Sequence, residues 1–500
     1  MVILNFPPGP RFLAHCRQIA DWTIPLSKIS FSTLELHPEL LKNLASLGYA
    51  AMTPIQAQSL PPILAGRDVI AQSKTGSGKT VAFGLGLLVN LETSNFAAQS
   101  LVLCPTRELA DQVAKEIRKL ARTTQNVKVL TLCGGAPFRA QAQSLDHGAH
   151  IIVGTPGRVE DHLRKNTLHL NKLKILVLDE ADRMLDMGFQ EVLHTIVDQT
   201  PKSRQTLLFS ATYPTGIKSI ASRIMLEPVL AQVAPTDDRT TIEQHFYKVD
   251  DVTERLRALR LLLLQHEPES ALVFCNTKQE AQDIAEELRG HGFSALALHG
   301  DLDQRDRDQT LVRFSNKSTA VLVATDVAAR GLDIDSLDAV INYHIARDPE
   351  MHIHRIGRTG RAGNTGAAYS LISEKENHKV IVLQDYLGQI ISSEPLPSRR
   401  LLTSSVNKPL MATLLIDGGK KQKVRPGDIL GALTGTDGIK GTQVGKINIF
   451  DNRSYVAVRR NAVKPALRKL TSGKLKGRSF RARLIRGHPG KKPGKSGRKQ

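Results

Sequence analysis

Short apolar runs alternate with helix-length segments from about residue 30 to residue 230. The runs are Asp68–Ala71, Leu101–Cys104, Val127–Cys133, Ile151–Gly154, Ile175–Leu178 and Thr206–Phe209, all rich in Leu and β-branched side chains. Runs that are apolar at nearly every position predict strands covered on both faces, which is the condition of a parallel sheet with helices on either side. A polar stretch without periodicity, residues 233–241, reads as a linker. The alternation resumes at Ala271–Cys275, Ala295–Leu298, Ala320–Thr325 and Ala339–Asn342, predicting a second α/β domain of similar size. A second polar, Pro-bearing stretch, Ser392 to Asn407, precedes a third unit. There the pattern predicts strand, helix, two strands, helix and strand at about Ala412–Ile416, Pro426–Leu433, Gln443–Phe450, Ser454–Arg459, Ala462–Leu470 and Ser479–Ile485. The division that follows is a disordered leader at 1–28, domains at 29–232, 242–391 and 408–486 joined by linkers at 233–241 and 392–407, and a tail at 487–500.

Composition narrows this picture at three points. The four cysteines, Cys16, Cys104, Cys133 and Cys275, are scattered with no Cys-x-x-Cys pair, which argues for a reducing, cytoplasmic setting and against structural zinc or disulfides. No apolar run approaches the roughly 20 residues that span a bilayer, and the leader, with Pro7, Pro8, Pro10, Arg11, Arg17 and Asp21, makes a poor secretory signal. The net charge of +20 is concentrated at one end: residues 459–500 hold sixteen Lys and Arg and no Asp or Glu. A dense, one-signed run ending in Gly and Pro predicts a polyanion-binding arm rather than a merely solvated face or tail.

The candidate chemistry lies in the first domain. Ser73-Lys74-Thr75-Gly76-Ser77-Gly78-Lys79-Thr80 follows a short strand and opens a helix-like stretch, so its backbone N–H groups can wrap a phosphate chain. Gly76 and Gly78 permit the tight turn, Lys79 sets a charge near the β- and γ-phosphates, and the Thr80 hydroxyl can ligate Mg²⁺. About a hundred residues on, Asp179-Glu180-Ala181-Asp182 emerges from the carboxyl end of the run Ile175–Leu178, where open α/β sheets hold their ligands. Asp179 is the second expected partner of the metal, through water, and Glu180 the group that orients the attacking water. Together the two segments predict hydrolysis of a nucleoside triphosphate. Ser73 stands where the general phosphate-loop pattern has Gly.

The motifs cover so much of the chain, roughly residues 29 to 390, that it resembles the DEAD-box RNA helicases. The stretch Phe31 to Gln56, ending Thr53-Pro54-Ile55-Gln56, is similar to the family's adenine-recognition motif. Pro105-Thr106-Arg107-Glu108-Leu109, Gly134-Gly135 and Thr155-Pro156-Gly157-Arg158 are similar to its RNA-contact motifs, and Ser210-Ala211-Thr212 to its coupling motif. In the second domain Val273–Asn276, Ala324-Thr325-Asp326 through Arg330-Gly331-Leu332-Asp333, and His354-Arg355-Ile356-Gly357-Arg358-Thr359-Gly360-Arg361 complete the set.

The resemblance implies two RecA-like, doubly wound parallel-sheet domains plus a small α+β, RRM-like C-terminal domain. It implies an RNA-dependent ATPase that uses ATP and Mg²⁺, with Phe31 stacked on the base, Gln56 paired with adenine and the loop from Ser73, Lys74 and Thr75 to Thr80 on the phosphates. Asp333 would meet the ribose, and Arg358 and Arg361 would act as arginine fingers. Asp182, Ser210, Thr212 and His354 would couple the halves. Pro105, Thr106, Arg107, Gly134, Gly135, Thr155, Pro156, Gly157, Arg158, Thr325 and Asp326 would meet the RNA backbone, reading its shape rather than its sequence. Met52, where many members have Pro, and the third domain point to a bacterial branch whose C-terminal domain recognises a hairpin of large-subunit ribosomal RNA. The implied partners are therefore that hairpin and the ribosome precursor, the implied task large-subunit assembly, and the implied state a monomer. Tyr455 is the single aromatic in Arg453–Val458, which speaks against a base-stacking platform and for reading by loops and basic residues. A DNA helicase, and an ATP-gated RNA clamp or annealing scaffold with little turnover, share many of these features.

Overall fold

The computed structural model describes residues 29–73, 76–213, 215–233, 242–329, 337–360, 366–473, 475, 477–485 and 487. The chain divides into two compact units, Met1–Thr236 and Asp237–Gln500.

In the first unit seven parallel strands form one sheet in the order β3-β4-β2-β5-β6-β1-β7. They are β1 (Val69–Gln72), β2 (Ser100–Leu103), β3 (Val129–Leu132), β4 (Ile151–Gly154), β5 (Ile175–Asp179), β6 (Gln205–Ser210) and β7 (Val229–Gln232). Successive side chains of a strand point to opposite faces, so Ile175 and Val177 enter one apolar core and Leu176 and Leu178 the other. That is why the run is apolar throughout. The same two-sided burial holds for β2, β4 and β6. Strand β7 lacks such a run and escapes the sequence pattern, because it lies at the sheet edge and alternates between exposed and buried positions.

The second unit contains a six-stranded parallel sheet of order β10-β11-β9-β12-β13-β8. Its strands are β8 (Ile242–Lys248), β9 (Ala271–Cys275), β10 (Ala295–Leu298), β11 (Val321–Thr325), β12 (Ala339–Asn342) and β13 (Gly366–Ile372). The half-exposed edge strand β8 and the Gly-Ala-Ala start of β13 again carry no continuous apolar signal.

The same unit ends in a four-stranded antiparallel sheet of order β15-β16-β14-β17: β14 (Met411–Ile416), β15 (Val444–Ile449), β16 (Ser454–Arg459) and β17 (Ala482–Leu484). Helices Pro426–Thr434 and Val463–Ser472 cover one face, burying Ile429, Leu433, Ala466 and Leu470 against Leu414, Ile416, Val456 and Val458. Strand, helix, two strands, helix and strand therefore follow in the order expected. The other face packs Leu415 and Tyr455 on Val312 of helix Gln304–Ser315. Beside them Asn316 donates to Thr413 at 2.9 Å and Ser318 shares a hydrogen bond with Thr413 at 2.6 Å, all three buried. Among the described residues no helix is long and apolar enough to cross a membrane.

Candidate nucleotide site and nucleic-acid interface

Strand β1 delivers the phosphate loop at its carboxyl end, and helix Lys79–Val89 leaves from it. Gly78 caps that helix at φ +91°, and a Cβ there would lie 2.4 Å from Nε2 of Gln56, so both backbone and space demand glycine. Gln56 is clamped in a capping box: its Oε1 accepts from Thr53 N at 2.9 Å, while Nε2 donates to Gly78 O at 2.9 Å. Thr53 Oγ1 in turn donates to Ser77 O at 2.7 Å. The amide keeps one lone pair and one N–H beyond these bonds, the pair an adenine edge requires. Lys79 Nζ donates to Ser73 O at 2.8 Å, Ser73 and Ser77 join through their hydroxyls at 2.8 Å, and Thr80 is half-buried nearby. Lys74 and Thr75 lie outside the described residues. Phe31 is 3% exposed and packs within the first core. An aromatic ring gains most from being buried on all sides.

Strands β5 and β6 lie beside β1, so their carboxyl ends meet the loop. Asp179 is buried, and burial pushes its carboxyl up to about 7; Lys79 opposes the shift and Glu180 adds to it. Glu180 sits at φ +54°, a left-handed conformation costing a non-glycine residue of order 1 kcal/mol or more. Its carboxylate pairs with Arg183 at 2.9 Å, both side chains almost fully buried. Asp182 gathers the strand ends: one oxygen accepts from the N–H groups of Ala211 and Thr212 at 3.1 and 3.0 Å and from the Thr212 hydroxyl at 3.2 Å. Ser210 O accepts from Ser73 N at 3.1 Å. A continuous set of hydrogen bonds thus runs from the acidic loop through β6 to the phosphate loop. Arg183 went unnoticed in the sequence, where its only signal is i,i+3 spacing from Glu180.

The RNA-motif residues of the first unit collect at the carboxyl ends of β2, β3 and β4, which are neighbours. Thr106 caps helix Arg107–Leu120, and the Arg107 guanidinium lies over Gly134, where a Cβ would come within 2.8 Å of Nη2. Arg158 Nη1 donates to Ala136 O at 3.0 Å and to Gln141 Oε1 at 2.7 Å. Pro105, Thr106 and Pro156 are buried and shape the loops, whereas Arg107, Gly134, Gly135, Thr155, Gly157 and Arg158 reach the surface.

In the second unit Asp326 is engaged within the fold. Both its oxygens are held by Arg355, at 2.6 and 2.7 Å, and Arg355 also donates to Asn342 Oδ1 and His344 O while lying over the Phe274 ring. The carboxylate of Asp326 thus serves to hold Arg355. Thr325 is buried, Arg358 is 6% exposed and His354 is half-buried. Asp333 and Arg361 lie outside the described residues, as does most of the basic tail. Tyr455 is fully buried, its ring edge-on to Phe450, so no base can stack on it. The exposed basic side chains of this domain include Lys420, Lys421, Lys423, Arg425, Lys440 and Lys446.

Comparison with known proteins adds three family matches: a DEAD/DEAH box helicase domain over residues 53–220, a helicase conserved C-terminal domain over 253–363 and a DbpA RNA binding domain over 413–484. The chain is 53% identical over 458 residues to the ATP-dependent RNA helicase DbpA of Escherichia coli, covering 91% of this chain and all of that one. It is 41% identical to the DEAD-box ATP-dependent RNA helicase RhpA of Helicobacter pylori strain 26695, over 74% of this chain and 75% of the relative. Among solved structures, Saccharomyces cerevisiae Dbp5 bound to RNA and ADP BeF3 matches with a TM-score of 0.65 and 32% identity, over 73% of this chain and 95% of that one.

Proposed function

The chain belongs to the DEAD-box ATP-dependent RNA helicases of the DbpA type, and on that premise we propose that it remodels large-subunit ribosomal RNA during ribosome assembly, acting as a cytoplasmic monomer directed by its C-terminal domain. The observation that carries the hydrolytic part is Asp182, which ties the acidic loop to Ala211 and Thr212. A change at either would be felt at the other, as turnover coupled to RNA requires. In this reading Gln56 selects adenine, Lys79 turns from Ser73 O to the phosphates, Glu180 orients the attacking water, and Arg358 and Arg361 stabilise the charge that develops on transfer. Thr80 and Asp179 would hold Mg²⁺, which would supply charge neutralisation for the phosphates. The fit rests on Asp179, a buried carboxyl raised to about 7 that a divalent cation would keep ionised. Among the described residues there is no cluster of three ligands of the kind a fully protein-bound metal needs, and Mg²⁺ usually keeps waters and substrate oxygens instead.

For the C-terminal domain, burial of Tyr455 supports recognition by exposed basic loop residues rather than by stacking. The test is RNA-stimulated ATPase with large-subunit ribosomal hairpins, scrambled hairpins, single-stranded RNA and DNA. Stimulation strongest with one ribosomal hairpin supports the proposal. Equal stimulation by DNA, or tight ATP-dependent binding with no turnover, would sink it in favour of a DNA helicase or a clamp.

A further inference from the structure

Arg158 is held from behind by a single glutamine, Gln141, on helix Phe138–Asp146. Gln141 is 7% exposed, the one buried residue of that helix. Its Nε2 donates to Cys133 O at 2.9 Å, which fixes the orientation of the amide. Oε1 then faces two donors, Arg158 Nη1 at 2.7 Å and His162 Nε2 at 3.1 Å, and both of its lone pairs are used. His162 must therefore carry its proton on Nε2, with Nδ1 accepting from Thr167 Oγ1 at 2.8 Å. The imidazole is fully buried and stacked on Phe138 at 4.2 Å, with Lys165 Nζ 4.1 Å from the centroid of that ring.

The consequence falls on Arg158. The two protons of Nη1 are spent on Ala136 O and Gln141 Oε1. Among the described residues Nε and Nη2 make no hydrogen bond, and the Asp161 carboxylate stands 3.9 Å from Nε. That edge is the planar fork that meets two oxygens of one phosphate. We propose that Gln141 is a positioning residue for RNA binding: it joins the loop after β3 to helix Pro156–Arg164 and aims the Nε–Nη2 edge of Arg158 at a backbone phosphate. The inference rests on the reading of Arg158 as an RNA contact.

The test uses the full chain and a single-stranded RNA oligonucleotide, measuring the RNA concentration that half-saturates the ATPase. Gln141→Leu should raise it about tenfold, the loss expected when a charge-assisted bond is removed, with kcat at saturating RNA and the KM for ATP unchanged. Arg158→Lys keeps the charge but loses the fork, leaves Gln141 its bonds to Cys133 and His162, and should cause a rise of similar size. Arg158→Ala should raise the value at least as far, and Gln141→Leu added to it should have no further effect. An additive double variant, a parent-like Gln141→Leu, or a parent-like Arg158→Lys each overturns the positioning role. A parent-like Arg158→Ala instead removes the underlying reading of Arg158.

Discussion

Glu180 combines a left-handed backbone, a buried ion pair with Arg183 and a position next to the buried carboxyl of Asp179. Strain of this kind persists only where the surroundings over-determine it. Glu180→Gln keeps the shape and loses the acceptor for water. It is expected to cut single-turnover phosphate release by at least about 100-fold while ATP-dependent RNA binding persists; turnover within about tenfold of the parent would take Glu180 out of the role. Gly78→Ala meets the second strained position. The methyl has nowhere to go but against Gln56, so ATP affinity and stability should both fall, the latter by about 1–3 kcal/mol, measured by nucleotide titration and urea unfolding. A parent-like nucleotide affinity would show that Gln56 can yield without cost to the site.

At the scale of an element, the end of β12 carries a charge cluster built for one protonation state. His344 reaches Glu280 at 2.6 Å and Glu376 at 3.4 Å through its two ring nitrogens, and Glu376 also pairs with Arg255 at 2.7 Å. A neutral imidazole can donate to only one of the two carboxylates. Burial alone would lower the His344 pKa, but the hydrogen bonds to Glu280 and Glu376 raise it above its ordinary 6.5. Burial raises both glutamates, and the bonds from His344, joined at Glu376 by Ser373 and Arg255, outweigh it and leave both below their ordinary 4.5. The signs follow by linkage. The His344 contribution is complete below about 6.5 and is lost as pH rises through the raised folded value. The glutamate contribution is complete above about 4.5 and is lost as pH falls. Thermal unfolding of the second unit followed from pH 5 to 9 should therefore show Tm declining on the alkaline side, and His344→Asn should flatten that limb. An unchanged slope in the variant would place the decline elsewhere.

Across the whole molecule, selection and attraction of RNA are expected to separate. The tail carries Lys491, Lys492, Lys495, Arg498 and Lys499 amid Gly and Pro, and such charges release counterions without reading bases. Deleting residues 488–500 should weaken all RNAs alike and flatten the salt dependence by up to about 3 to 4 units of slope. Deleting residues 408–500 should erase hairpin preference and leave a low, indiscriminate RNA-stimulated ATPase. It would also uncover Val312 and strip Asn316 and Ser318 of their Thr413 partner, so this variant should lose stability as well. Binding titrations over a salt series with matched and scrambled hairpins decide between the parts; loss of preference on removing the tail alone would make the tail the reader.

Much of this protein was legible in its sequence wherever the cause is local. Strands covered on both faces must be apolar at successive positions, so β2, β4, β5, β9 and β12 announced themselves. The phosphate loop and Asp179-Glu180 did too, because glycine, lysine and carboxylate at fixed spacing have few other uses. Edge strands β7 and β8 stayed hidden, since one exposed side breaks the run. The rest is a matter of strand order. Only the placing of β5 beside β6 brings Asp182 to Thr212, thirty residues away in the chain, and only the close approach of the loop after β3 to helix Pro156–Arg164 lets Gln141 serve Cys133 and Arg158 at once. The same holds for Asp326, whose carboxylate holds Arg355, and for Phe31, whose burial depends on what folds over it. Residue types and their spacing determined which chemistry this chain can perform. Which polar groups are left free to perform it was decided by tertiary structure, because a hydrogen bond made inside the fold is one that no ligand can use.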